Sequence, residues 1–176
     1  MKIFFYIILF NLVFGNYSVI QAESQIEYFG SHPMHGFSGS SSLITLLSNC
    51  NNSNNECNLH FTLPIISLNS GNDNRDSNML NYLEAFIYPD IILDIENFII
   101  REYKEELILA NISIHGISQE IKIPLTVVET LTDNYKVNSV FSILLDEFNV
   151  SLPKLLFLPI NNEIKINVQL LIKESN

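Results

Sequence analysis

Residues 108–128, ILANISIHGISQEIKIPLTVV, alternate apolar and polar side chains on both sides of a central His115-Gly116 pair. Ile108, Ala110, Ile112 and Ile114 fall on one face, against Leu109, Asn111, Ser113 and His115 on the other. After the pair, Ile121, Ile123, Leu125 and Val127 alternate with Lys122, Pro124, Thr126 and Val128. A period of two is the repeat of a half-buried strand, and His115-Gly116 reads as the turn of a hairpin. The pattern extends in both directions. Downstream, Thr132–Asn134 makes a turn, Phe141, Ile143 and Leu145 resume the alternation, and Ile164, Ile166, Val168 and Leu170 end it. Upstream lie Ile91, Leu93 and Ile95, then Leu59, Phe61, Leu63 and Ile65, then an extended stretch over Phe37–Leu47. Segments so evenly spaced describe an antiparallel sheet with one apolar and one wet face. So many strands need closure, or a second sheet, to hide their edges. The fold class is all-β with one or two short helices, in a single domain.

One stretch breaks the pattern: Leu68–Pro89, LNSGNDNRDSNMLNYLEAFIYP. Ser70, Gly71, Asn72 and Asp73 are turn formers, and Asn74 or Asp76 can cap a helix by accepting from an orphan amide. Met79, Leu80, Leu83 and Phe86 then recur at helical spacing, predicting a helix over 77–87. Tyr88-Pro89 ends it, because the residue before proline is pushed out of the α region. A second turn is expected over 148–157, next to Pro153 and Pro159.

The chain begins with Lys2 and an apolar run, Ile3–Phe14, reaching Ala22 before the polar Glu23. That order predicts a secretory signal over 1–22, cut after Ala22, with an uncleaved anchor as the other reading. The run is short for a membrane span, so none is expected after cleavage. Removing 22 of 176 residues leaves 154, one domain with a sizeable core. Only Lys2 is lost from 9 basic and 19 acidic residues, so the remainder carries 8 against 19, net −11. Nucleic acid is excluded as a partner, since a phosphate-binding face needs clustered cations. Docking on anionic headgroups by charge alone is disfavoured for the same reason. Cys50 and Cys57 flank NNSNNE; in an oxidising compartment they can staple a hairpin tip, worth roughly 2.5 kcal/mol by chain entropy.

Catalytic patterns are missing. No G-x-S-x-G, H-E-x-x-H, phosphate loop or dinucleotide fingerprint occurs, so an enzyme is not expected. His32 and His35 are spaced as on a helix face, but Pro33 and Gly36 make that segment a loop. Asn72, Asn74 and Asp76 mimic a calcium loop only as far as its third ligand. No metal and no cofactor are expected.

Three pieces, in order, resemble the YceI-like family of secreted lipid-binding β-barrels. They are Ser70-Gly-Asn-x-x-Arg-Asp76 with Met79 and Tyr88-Pro89, then Ile112-Ser-Ile-His-Gly-Ile-Ser118, then Phe141-Ser-Ile-Leu-Leu-Asp-Glu-Phe148. The likeness runs from about Glu27 to Lys173. It implies a lipocalin-like antiparallel barrel of about eight strands over 23–176, periplasmic or secreted, holding a long isoprenoid lipid or quinone in its interior. Such a barrel can keep room for one ligand. The candidate lining is then Phe61, Leu63, Met79, Leu83, Phe86, Ile91, Leu93, Ile112, Ile114, Phe141 and Ile143. Arg75 is the candidate for the ligand head group, because guanidinium takes phosphate or carbonyl oxygen, and His115 is a second. The rival reading of Arg75 is an ion pair with Asp76 or another nearby carboxylate. The rival function is a barrel with a packed interior, acting on another cell-envelope component through loops such as Ser31–Gly39 and Asn49–Asn58. Oligomeric state is left open, a dimer included.

Overall fold

The computed structural model describes residues 17–51, 56–100, 105–132 and 134–174. In chain order the elements are β1 (Tyr17–Val19), β2 (Gln25–His32), β3 (His35–Ser41), β4 (Thr45–Cys50) and β5 (Cys57–Pro64). Helix α1 (Asp73–Tyr82) comes next, then β6 (Asp90–Phe98), β7 (Glu105–Ile114), β8 (Ile117–Glu129) and β9 (Asn134–Leu144). A small hairpin, β10 (Lys154–Leu155) and β11 (Leu158–Pro159), precedes the last strand, β12 (Glu163–Glu174).

The main sheet has ten strands, against about eight expected, in the order β3-β2-β12-β9-β8-β7-β6-β5-β4 with β1 added to β12. The surplus comes from β1 and from Phe37–Leu47, where Ser42–Ile44 divide one extended run into β3 and β4. Ser41 Oγ accepts from the Leu43 amide at 3.0 Å and bonds Ser67 Oγ at 2.7 Å, which stabilises the bend. The break matters because β3 pairs with β2 whereas β4 pairs with β5. Three residues thus tie the two edges of a curled antiparallel sheet together, and the half-barrel is held by the chain itself. Segments on either side cover the seam. Ser40 and Asn69 exchange two backbone hydrogen bonds of 2.9 Å, and the Tyr17 amide donates to Ser48 Oγ at 2.8 Å.

The alternation predicted for β7 and β8 is the alternation of burial. Ile108, Ala110, Ile112 and Ile114 are buried, while Leu107 and Leu109 are exposed. His115 and Gly116 form the two-residue turn, both with positive φ (52° and 73°), the backbone that Asn-Gly type turns adopt. Pro124 ends the pairing of β8 with β9 just past Thr126↔Asn138, since proline has no amide to donate. Its freed carbonyl accepts from buried Ser139 Oγ at 2.6 Å. Beyond that point the strands part, and the short 3-10 turn Leu145–Phe148 packs against both.

Most of the expected signal segment lies outside the described residues. Tyr17–Val19 does not, and it pairs with Ile172–Glu174 of β12, with Tyr17 buried against the Tyr135 ring at 6.2 Å. Cutting after Ala22 would remove this strand. A chain starting at Glu23 is expected to lose roughly 2 kcal/mol or more relative to one that keeps Tyr17, from that ring's burial alone. Chemical denaturation of the two lengths checks this; equal midpoints would show that β1 adds nothing.

Candidate functional site

The inner face of the sheet encloses a cavity of about 520 Å³, and the interior is therefore not packed solid, as the rival reading requires. Its wall takes apolar side chains from β2, β5, β6, β7, β8, β9 and β12. At one end the wall residues are buried: Phe98, Ile100 and Ile172. At the other they reach solvent: His35, Asn72, Asn78, Tyr82, Lys154 and Leu155. The mouth thus lies at the end that carries α1, the β2–β3 turn and the β10–β11 hairpin.

All the candidate wall residues line this cavity except Phe86, which is 91% exposed. The helix explains the difference. Asn72, rather than Asn74 or Asp76, caps it by accepting from the Arg75 amide at 3.0 Å. Asp76 instead reaches back to the Ser70 amide, at 3.1 and 3.2 Å. The helix therefore runs over Asp73–Tyr82, earlier than the expected 77–87. Glu84 then turns left-handed (φ 47°), which breaks the stripe after Leu83 and swings Phe86 outward.

His115 is corrected too, because it does not line the cavity. Its ring packs edge-on to Tyr88 at 5.4 Å, and Nδ1 bonds the Phe148 carbonyl at 3.0 Å. Nε2 is buried 3.4 Å from the Glu84 carboxylate but too poorly aligned for a hydrogen bond. This histidine ties the β7–β8 turn to the loop after α1.

Arg75 does reach the cavity. Among the described residues no carboxylate forms an ion pair with it, so the rival pairing with Asp76 is not made. The guanidinium lies over the Phe37 ring, 5.8 Å from its centre. Phe37 is itself placed by a glycine. It sits opposite Gly30 across the β2–β3 ladder, and a Cβ on Gly30 would lie 2.3 Å from the ring. Tyr28 covers Gly39 in the same way, at 2.6 Å. Each glycine makes room for an aromatic ring on the neighbouring strand. Burial pushes the Tyr28 phenol above its ordinary 10.0, Asp76 adds to this, and Arg75 and a Ser70 hydrogen bond oppose it. Tyr28 is thus a neutral hydroxyl on the cavity wall.

Tyr28, Phe37 and Lys154 are wall residues that periodicity did not single out. Gly30, beside a stretch punctuated by Pro33 and Gly36, and Gly39, within the extended stretch Phe37–Leu47, were the available signal. Among the described residues no Asp or Glu lines the cavity, although such residues outnumber Lys and Arg 19 to 9 in the chain; the Lys and Arg of the lining there are Arg75 and Lys154. Cys50 and Cys57 form a disulfide at the end away from the mouth. Among the described residues no three His, Cys, Asp or Glu side chains cluster as metal ligands. Nor is any helix there long and apolar enough to cross a membrane.

The YceI-like domain matches residues 17–172. The chain belongs to this family. No curated protein sequence matches it. Solved structures do. A polyisoprenoid-binding domain from Saccharophagus degradans has TM-score 0.77 at 16% identity, covering 92% of this chain and 100% of that one. BcnA of Burkholderia cenocepacia gives 0.73 at 15% identity, over 87% and 98%. A YceI protein from Campylobacter jejuni gives 0.58 at 17%, over 76% and 82%. At these identities the likeness is one of fold.

The Gly30–Phe37 fit in this YceI-like barrel carries a prediction. Gly30→Ala is expected to destabilise the protein by about 1–3 kcal/mol, as overpacking does, although alanine normally suits a strand better than glycine. For a chain of this size that lowers the melting temperature by roughly 2–12 °C. An unchanged melting curve would mean that the ring yields freely.

Proposed function

We propose that this protein is a non-enzymatic carrier, periplasmic or secreted, of a long isoprenoid-like or quinone-like lipid held along the barrel. The observation that carries the reading is the apolar cavity of about 520 Å³ beneath α1. A polyprenyl tail asks for a dry channel and few directional contacts. Ten methylenes at ~0.8 kcal/mol each give roughly 8 kcal/mol, which corresponds to micromolar binding before ordering costs. The family membership and the polyisoprenoid-binding description of the Saccharophagus degradans domain support the same class of ligand. Arg75, stacked on Phe37, and Lys154 stand at the mouth, where a phosphate or carbonyl head group meets cations and no carboxylate of the lining.

Mass spectrometry of organic extracts from gently purified protein is expected to find one long-chain lipid in near-stoichiometric amount. Ile112→Trp, which places an indole in the lumen, is expected to fold and to carry several-fold less. Arg75→Ala is expected to weaken rather than abolish loading, since it leaves the channel intact. An extract without lipid, or equal loading in Ile112→Trp, would overturn the carrier reading.

A further inference from the structure

Pro153, Lys154 and Leu155 line the mouth of the lumen, and the chain then doubles back at once, pairing Leu155 with Leu158. The two turn residues are Leu156 (φ 51°) and Phe157 (φ 71°). Positive φ at both central positions suits Asn-Gly and strains bulky side chains. Packing does not offset the strain, because Leu156 is 68% and Phe157 95% exposed. The base of the hairpin is nevertheless fixed. His32 Nε2 bonds the Leu158 carbonyl at 3.2 Å, and the Asn161 amide donates to the Ser31 carbonyl at 2.7 Å. A firmly seated hairpin thus holds an apolar tip beside the mouth. Phe86 and Ile87, in the loop after α1, and Met34, in the β2–β3 turn, are also exposed at this end.

We propose that this end of the barrel docks on a lipid bilayer, with Leu156 and Phe157 inserted among the acyl chains. The inference rests on the carrier reading above, and its occupant follows from the position of the tip. A protein seated there would cap the mouth, whereas a bilayer gives a long lipid a continuous apolar path between membrane and lumen. The tip is four apolar residues in succession, Leu155–Leu158, with no polar side chain to pair with a protein partner. Charge is not the attraction, since the chain is net −10 and Asp73, Glu84 and Glu147 are exposed near the mouth. The surface therefore suits zwitterionic lipid and insertion rather than anionic headgroups.

Flotation of the protein with phosphatidylcholine vesicles, at low and at high salt, tests this. The comparison is Leu156→Asn with Phe157→Gly, a pair that favours the same turn and leaves the lumen wall untouched. The wild type is expected to float at both salt concentrations. The double variant is expected to lose at least tenfold of the bound fraction, with its lipid load unchanged and its melting temperature equal or higher. A wild type that stays in the dense fraction, a variant that floats equally, or flotation confined to anionic vesicles at low salt overturns the proposal. So does loss of self-association in the variant with flotation intact, which would assign the tip to a second copy of the chain. Lipid-loaded protein that fails to float sinks the docking alone. Lipid-free protein that floats only with its Leu-Phe tip sinks the carrier reading and leaves the docking standing.

Discussion

The structure depends on a mismatch between girth and filling. A ten-stranded antiparallel sheet, with its edges tied through Ser42–Ile44, encloses a fixed circumference. The side chains that point inward are mainly isoleucine, leucine and valine, and the chain contains no tryptophan. Aliphatic residues of that size line a cavity of about 520 Å³. The alternation that makes each strand half-buried thus leaves space along the middle of the barrel.

Open apolar volume is costly. Net stabilities of domains are typically about 5–15 kcal/mol. Anything that binds in the lumen of the folded chain and not to the unfolded chain therefore adds to that margin by mass action. The polar contacts on the wall fit that arrangement. Ser139 spends its hydroxyl on the Pro124 carbonyl, and Tyr28 is kept neutral by burial, so neither presents a charge to the lumen.

Much of this was legible because strand physics is local. Period two at Ile108–Ile114 and Ile121–Val127 predicts which side chains turn inward, and both stretches bury those residues save Ile121, which is half-buried. His115-Gly116 was readable as a turn because few other dipeptides accept positive φ twice. What failed was decided by tertiary contacts. The end of α1 depends on a left-handed Glu84, which no spacing of apolar residues announces, and Phe86 moved with it. His115 was assigned to the ligand on chemistry alone, but its nitrogens face Phe148 and Glu84, brought close only by the packing of loops. The role of Arg75 depended on Phe37, and Phe37 on Gly30, a chain of contacts across two strands that lie far from α1 in sequence.

The two ends of the barrel differ in packing. At the far end, Cys50 and Cys57 clamp the β4–β5 hairpin, and Phe98, Ile100 and Ile172 close the wall with buried side chains. At the mouth, the cover is a ten-residue helix with no fully buried residue, capped through one asparagine side chain and anchored through Asp76 to Ser70. Elements with little buried surface open at low free energy, so any breathing of the barrel concentrates there. A ligand too long to slip past fixed walls needs such a place. The same end gathers the lining cations Arg75 and Lys154, within a chain whose charge is otherwise dominated by acids. Weak packing and two cations of the lining at one rim, with a stapled and apolar far end, make the two ends of the lumen unlike, and on the proposed carrier reading a head group belongs at α1 and a tail toward the disulfide.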